Sequence, residues 1–187
     1  MAQWFLYFLF YSFAGYLLEK LFARLIHSPN QVRKCFLLLP LCPVYGLAMT
    51  AVLALIPEGA GPLPQMLLGG LICTAAEYLV HLFYEKTFRV HFWDYSELRG
   101  HIRGRICPQF ALIWGVLSAL AVWLLQPFAV YLAARTPPPV TYALWLALAA
   151  DCVLTAALLR HSRAPEQLTL GTVYAQIRAS SQSRTSL

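Results

Sequence analysis

Apolar runs of about 20 residues, nearly free of charge, recur along this chain, and they restrict its fold more than any other feature. Residues 106–134 contain no charged side chain at all. The hydrocarbon core of a bilayer is about 30 Å thick and takes about 20 helical residues to cross. Because lipid offers no partner for a bare peptide group, such runs cross as helices. Only 12% of the residues are charged, and the mean hydropathy is +0.60. A soluble domain carries about a quarter charged residues. These values exclude a soluble enzyme and a nucleic-acid-binding module. With 187 residues there is room for about five spans in one domain.

The expected architecture is an all-α polytopic transmembrane helix bundle over residues 1–163, with spans near 3–25, 36–56, 65–85, 106–130 and 140–160. Residues 164–187 are polar and aperiodic and are read as a flexible cytoplasmic tail. No basic segment precedes the first run and no small-residue cleavage site follows it, so the N-terminus is expected to remain as a membrane helix. Pro40 and Pro43 cannot sit inside one regular helix. The second span therefore begins either as a kink, the simpler reading, or as a short re-entrant piece. Cys35, Cys42, Cys73, Cys107 and Cys152 are odd in number and lack a CxxC spacing, which argues against a disulfide framework or a zinc site.

Basic residues set the orientation. The first loop region has Arg24, Arg33 and Lys34; the segment near 86–105 has Lys86, Arg89, Arg99, Arg103 and Arg105; the tail region has Arg160, Arg163, Arg178 and Arg184. The two remaining loops share only Arg135. Counting positive charges inside places the N-terminus outside and the C-terminus in the cytoplasm.

The candidate functional residues are the few polar groups within or beside the spans. Ser12, Gly15 and Glu19 form one helical stripe, so a neighbouring helix can approach at Gly15 and meet Glu19. Glu77 and Asp151 lie at mid-span, where a carboxylate costs about 3 kcal/mol on insertion scales, so both should face the bundle interior. They invite a proton-relay or cation-binding role, against the simpler role of bonding a neighbouring helix. Glu77, His81 and Glu85 share a helix face, but the pairing needed for a metal motif is missing, and no metal or cofactor is expected.

Between the third and fourth runs lies the one dense polar and aromatic island, Phe92-Trp93-Asp94-Tyr95-Ser96 through Gly104-Arg105-Ile106-Cys107. Asp94 and Glu97 have capping-box spacing and could open a short helix. Alternatively Asp94, Tyr95, Ser96 and Arg105 form a polar pocket at the cytoplasmic mouth, where the basic excess suits anionic lipid headgroups or a phosphate. No Walker A sequence or G-x-S-x-G is present, so no catalytic residue is assigned.

Four ordered motifs carry a resemblance. They are Ser12-Phe13-Ala14-Gly15-Tyr16-Leu17-Leu18-Glu19, then Pro40-Leu41-Cys42-Pro43-Val44-Tyr45-Gly46, then Glu77-Tyr78 with Glu85, and last Trp93-Asp94-Tyr95-Ser96 with Gly104-Arg105-Ile106-Cys107. Over about residues 10–120 the chain resembles the bacterial family of putative ABC-transporter type IV permeases (CmpB-like). It departs from that pattern at Val32-Arg33-Lys34-Cys35-Phe36, where the family has Asn-Arg-Gly-Phe, and at Leu98-Arg99-Gly100-His101, where Pro-x-Asn is usual.

The resemblance implies a multi-pass protein of the bacterial cytoplasmic membrane. The expected function is a permease-like membrane component, with Glu19, Arg33, Tyr45, Glu77, His81, Glu85, Trp93, Asp94, Tyr95, Ser96, Arg105 and Asp151 supplying a polar cluster or substrate site. Five helices are few for a transport path, so self-association or a separate ATPase subunit is expected. The rival readings are an intramembrane enzyme acting on a lipid or lipid-linked substrate, and a non-catalytic scaffold.

Overall fold

The computed structural model describes residues 1–25 and 35–162, and every regular element among them is helical. The helices are α1 (Ala2–Leu25), α2 (Pro43–Leu55), α3 (Pro62–Phe88), α4 (Pro108–Arg135) and α5 (Pro138–Ser162). All but α2 are long and apolar enough to cross a bilayer. Proline stands in the first turn of α2, α3 and α4, where its missing N–H breaks no helical bond and its fixed φ suits the helix. α3 stops at Arg89, which adopts the left-handed conformation (φ 57°) and donates its N–H to the Glu85 carbonyl. Arg33 and the expected tail, 164–187, lie outside the described residues.

The second crossing corrects the expectation of a kinked helix over 36–56. Residues 35–42 are irregular, with Cys35, Leu37, Leu38 and Cys42 buried, and the helix begins only at Pro43. α2 has 13 residues, a length of roughly 20 Å at the usual helical rise, too short to cross alone. Irregular backbone at membrane depth requires protein partners, and here the N–H groups from Leu38 to Cys42 all have them. Leu38 and Leu39 donate to the two Asp151 carboxyl oxygens at 3.1 and 2.9 Å. Leu41 donates to the Leu39 carbonyl at 2.6 Å and Cys42 to the Ser12 carbonyl at 2.8 Å. Pro40 has no N–H to satisfy. Asp151 thus replaces the helical bonds that the two prolines prevent.

Packing orders the ends of the bundle. Phe36 stacks on Tyr84 at 5.2 Å and meets Phe88, while Leu159 of α5 joins the same cluster with Val90 and Phe92. The start of the irregular segment, the island and the end of α5 therefore share one end. Near the opposite end, Phe10 of α1 meets Phe128 of α4, and Ile56 packs in the same core as Tyr7. Arg24, Lys86, Arg89, Arg99, Arg103, Arg105 and Arg160 thus gather toward the island end, and Arg135 lies toward the other.

Small residues let the helices touch. A Cβ at Gly15 would strike the Tyr45 ring, and one at Gly46 would strike Ser12 and the Phe8 carbonyl. Gly70 and Gly115 face each other across α3 and α4, each against the other helix's backbone. Between helices in lipid, where burial from water supplies no drive, such close packing is a main source of association.

α4 contains a π-turn at Ala121–Leu125, where the Gln126 N–H reaches back to the Ala121 carbonyl. The turn lies just before Pro127, whose ring would otherwise press on the preceding helical turn. Tyr11 closes it from α1, donating to Gln126 Oε1 at 2.7 Å. α5 packs least: Tyr142, Trp145 and Val153 all point away from the bundle, at 70%, 57% and 72% exposure.

Candidate functional site

The island is built from turns, and no helix follows Asp94, contrary to the capping-box expectation. Asp94 instead accepts the Ser96 backbone N–H at 2.9 Å and the Ser96 hydroxyl at 3.0 Å, an Asx turn. The Ser96 backbone N–H first, and then its hydroxyl, hold the Asp94 carboxyl below the usual carboxylate range. Tyr95 donates its N–H to the Gly104 carbonyl at 2.8 Å, and Ile102 bridges to Ile106. Gly104 is required here: its φ is 69°, and a Cβ would collide with the Asp94 oxygen.

Folding back in this way brings two island side chains onto α3. Arg105 donates through Nε and Nη2 to one oxygen of Glu85, at 3.0 and 2.6 Å, and through Nη1 to the Tyr78 hydroxyl at 3.1 Å. Its guanidinium also lies 5.2 Å from the Tyr78 ring centroid. The Glu85 hydrogen bonds raise the already high pKa of Arg105, so this pair stays charged. His81 and Trp93 brace the arginine's backbone. The His81 Nε2–H donates to the Trp93 carbonyl at 3.1 Å, and the Trp93 indole donates to the Arg105 carbonyl at 3.1 Å.

Tyr95 makes the second contact. Its hydroxyl donates to Glu77 Oε1 at 2.8 Å, while the Trp114 indole donates to Glu77 Oε2 at 3.0 Å. Burial, and then the adjacent Glu77, push the Tyr95 phenol up, so it remains the proton donor. Glu77 is only 3% exposed. Across the Trp114 ring stands Tyr45, edge-on at 5.2 Å, and Tyr45 donates to Glu19 at 2.6 Å. Glu19, Tyr45, Trp114, Glu77 and Tyr95 therefore form one continuous relay of contacts from α1 to the island.

The expected polar cluster is thus divided. Arg105, Glu85, His81 and Trp93 belong to one group, and Glu19, Tyr45, Glu77 and Tyr95 to another. Asp94 and Ser96 bond each other on the exposed face of the island. Asp151 belongs to neither group; besides Leu38 and Leu39 it accepts the Thr155 hydroxyl at 3.1 Å. Trp114 escaped the sequence reading because it sits in an uncharged apolar run with no polar neighbour in sequence. Tyr78 was within reach of it, as the residue following Glu77 in a recognised motif.

Beside Glu77 a cavity of about 380 Å³ opens between α1 and α4, with α2 and α3 behind it. Tyr11, Ala14, Gly15, Tyr45, Ala48, Glu77, Trp114 and Ala121 shape its interior. Leu17 and Leu21 of α1 and Leu124 and Leu125 of α4 stand at its exposed rim. Among the described residues, no group of three histidine, cysteine or acidic side chains is arranged to hold a metal ion.

Neither a curated protein nor a solved structure matches the chain. A family profile does, over residues 6–156, which takes in the irregular crossing, the island, both polar groups and Asp151. The chain belongs to the family described as putative ABC-transporter type IV.

Proposed function

We propose that this protein is the permease-like membrane component of a transporter in the bacterial cytoplasmic membrane, with its N-terminus outside and its C-terminus in the cytoplasm. The cavity carries this proposal: four helices surround it within the spanning part of the bundle, and its wall includes Glu77, which is bonded to Tyr95 of the island. A movement of the island would reach the cavity through that hydrogen bond. Family membership and the four long apolar helices support the same function. The basic residues at the island end fit the positive-inside orientation and contact with anionic headgroups.

ATP hydrolysis would come from a separate subunit, which the island end would receive, and self-association would supply the further helices that a transport path needs. The lipid-directed enzyme has weaker support, because Glu77, Tyr95 and Arg105 each have partners within the protein. Gentle extraction from the native membrane followed by mass spectrometry tests the proposal. Stoichiometric recovery of an ATP-hydrolysing subunit is the expected result. Recovery of this chain alone would overturn the ABC arrangement.

A further inference from the structure

We propose that the cavity between α1 and α4 holds one acyl chain of a bilayer phospholipid, entering sideways past Leu17, Leu21, Leu124 and Leu125. The inference deepens the transport reading, since it rests on the same cavity and names its occupant. Three observations point to hydrocarbon.

First, the polar side chains of the wall already have partners. Tyr11 bonds Gln126, Tyr45 bonds Glu19, Ser118 bonds the Gly115 carbonyl, and Glu77 takes Tyr95 and Trp114 on its two oxygens. Cys73 adds only a weakly polar thiol. A polar ligand would give up its hydration there and find every neighbouring hydrogen-bonding group engaged. A hydrocarbon chain gives up nothing of that kind, and an apolar cavity of this sort otherwise stays dry.

Second, the rim lies on the surface that faces lipid. Leu17, Leu21 and Leu124 are 50%, 54% and 68% exposed on helices long enough to span the bilayer. Acyl chains are the molecules already present at such an opening, at the concentration of the membrane itself.

Third, the cavity has the size of a small-molecule site, about 380 Å³ against about 300–1,000 Å³ for such sites, and it opens sideways between two helices. That suits part of one lipid chain, with the rest of the lipid left in the bilayer.

Trp114 lies in the cavity wall and reports on the occupant directly. In the full-length chain, Trp4, Trp93, Trp123 and Trp145 are replaced by phenylalanine, and the protein is reconstituted in phosphatidylcholine vesicles brominated on the acyl chains. Strong quenching of Trp114 is expected, together with a severalfold loss of that quenching when Ala14→Leu fills the cavity. A second protein with Trp145 as its sole tryptophan serves as the lipid-facing control, quenched with or without Ala14→Leu. If Ala14→Leu fails to fold, Ala48→Val tests the same point from α2. Unquenched Trp114 beside quenched Trp145 would overturn the proposal, as would quenching of Trp114 that ignores both cavity-filling changes. The two readings fail separately: an ATPase-coupled complex with unquenched Trp114 removes the acyl chain and leaves transport, while a quenched Trp114 in a protein without an ATPase partner does the reverse.

Discussion

Glu77 and Asp151 are both buried carboxylates inside the same bundle, 3% and 7% exposed, yet the regions around them differ. Glu77 is bonded by two side chains, Tyr95 and Trp114, at the wall of a cavity. Asp151 is bonded by two backbone N–H groups and Thr155, at a place where the chain crosses without a helix. Side-chain donors can move away and be replaced. Backbone donors in an irregular segment cannot, because lipid offers them nothing else. The Asp151 region is therefore held as a structural joint, whereas the bonds at Glu77 are of a kind that other side chains could replace.

The largest effect should follow removal of the joint. Asp151→Leu leaves the Leu38 and Leu39 N–H groups buried without acceptors, at about 1–3 kcal/mol for each orphaned group. A destabilisation of about 2–5 kcal/mol is expected, seen as a large drop in thermal midpoint of the detergent-solubilised protein. Asp151→Asn keeps one oxygen and should fall between. Glu77→Gln retains an acceptor for one of its two donors and should cost about 1–2 kcal/mol, with the fold intact. Equal losses for Asp151→Leu and Glu77→Gln would erase the distinction between the two regions.

Chemistry on the irregular segment sharpens the same contrast. Neither Cys35 nor Cys42 is in a disulfide, and they stand one at each end of that segment with their sulfurs in contact. Mild oxidation should join them, read as a loss of two hydrogens in the peptide mass, while Cys73, Cys107 and Cys152 remain thiols. Joining should become slower in Asp151→Asn, where the segment is less firmly held, and stay unchanged in Glu77→Gln. The opposite order would place the control of this segment at Glu77.

The smallest effect concerns pH at the island. The folded pKa of Asp94 is depressed by Ser96, so its stabilising contribution is complete above the unfolded value of about 3.9 and fades as pH falls below it. Amide exchange at Ser96 should therefore be slower than its intrinsic rate at pH 5, and should lose that protection only in stronger acid. Ser96→Ala removes the hydroxyl bond and should move that loss toward higher pH. Lost protection already at pH 5 would show that the Asx turn does not hold the island.

Much of the bundle could be read locally. The stripe of Ser12, Gly15 and Glu19 pointed to a close neighbour, and Tyr45 is found against Gly15 with its hydroxyl on Glu19. The capping-box reading of Asp94 and Glu97 failed because Ser96, two residues on, competes for the same carboxylate and turns the chain instead.

That the chain is a membrane helix bundle, where its long helices lie, and that its mid-span acids face inward could all be read from the residues alone. Those outcomes depend on composition over about 20 residues and on the cost of bare polar groups in lipid, both of which are local. Which donors each acid receives, the break in the second crossing and the cavity beside Glu77 emerge from the packing of the helices against one another. The Leu38 N–H and Asp151 are separated by 113 positions, and Trp114 and Glu77 by 37. Such pairings depend on how the helices rotate and how closely glycines let them approach, which no stretch of local sequence records.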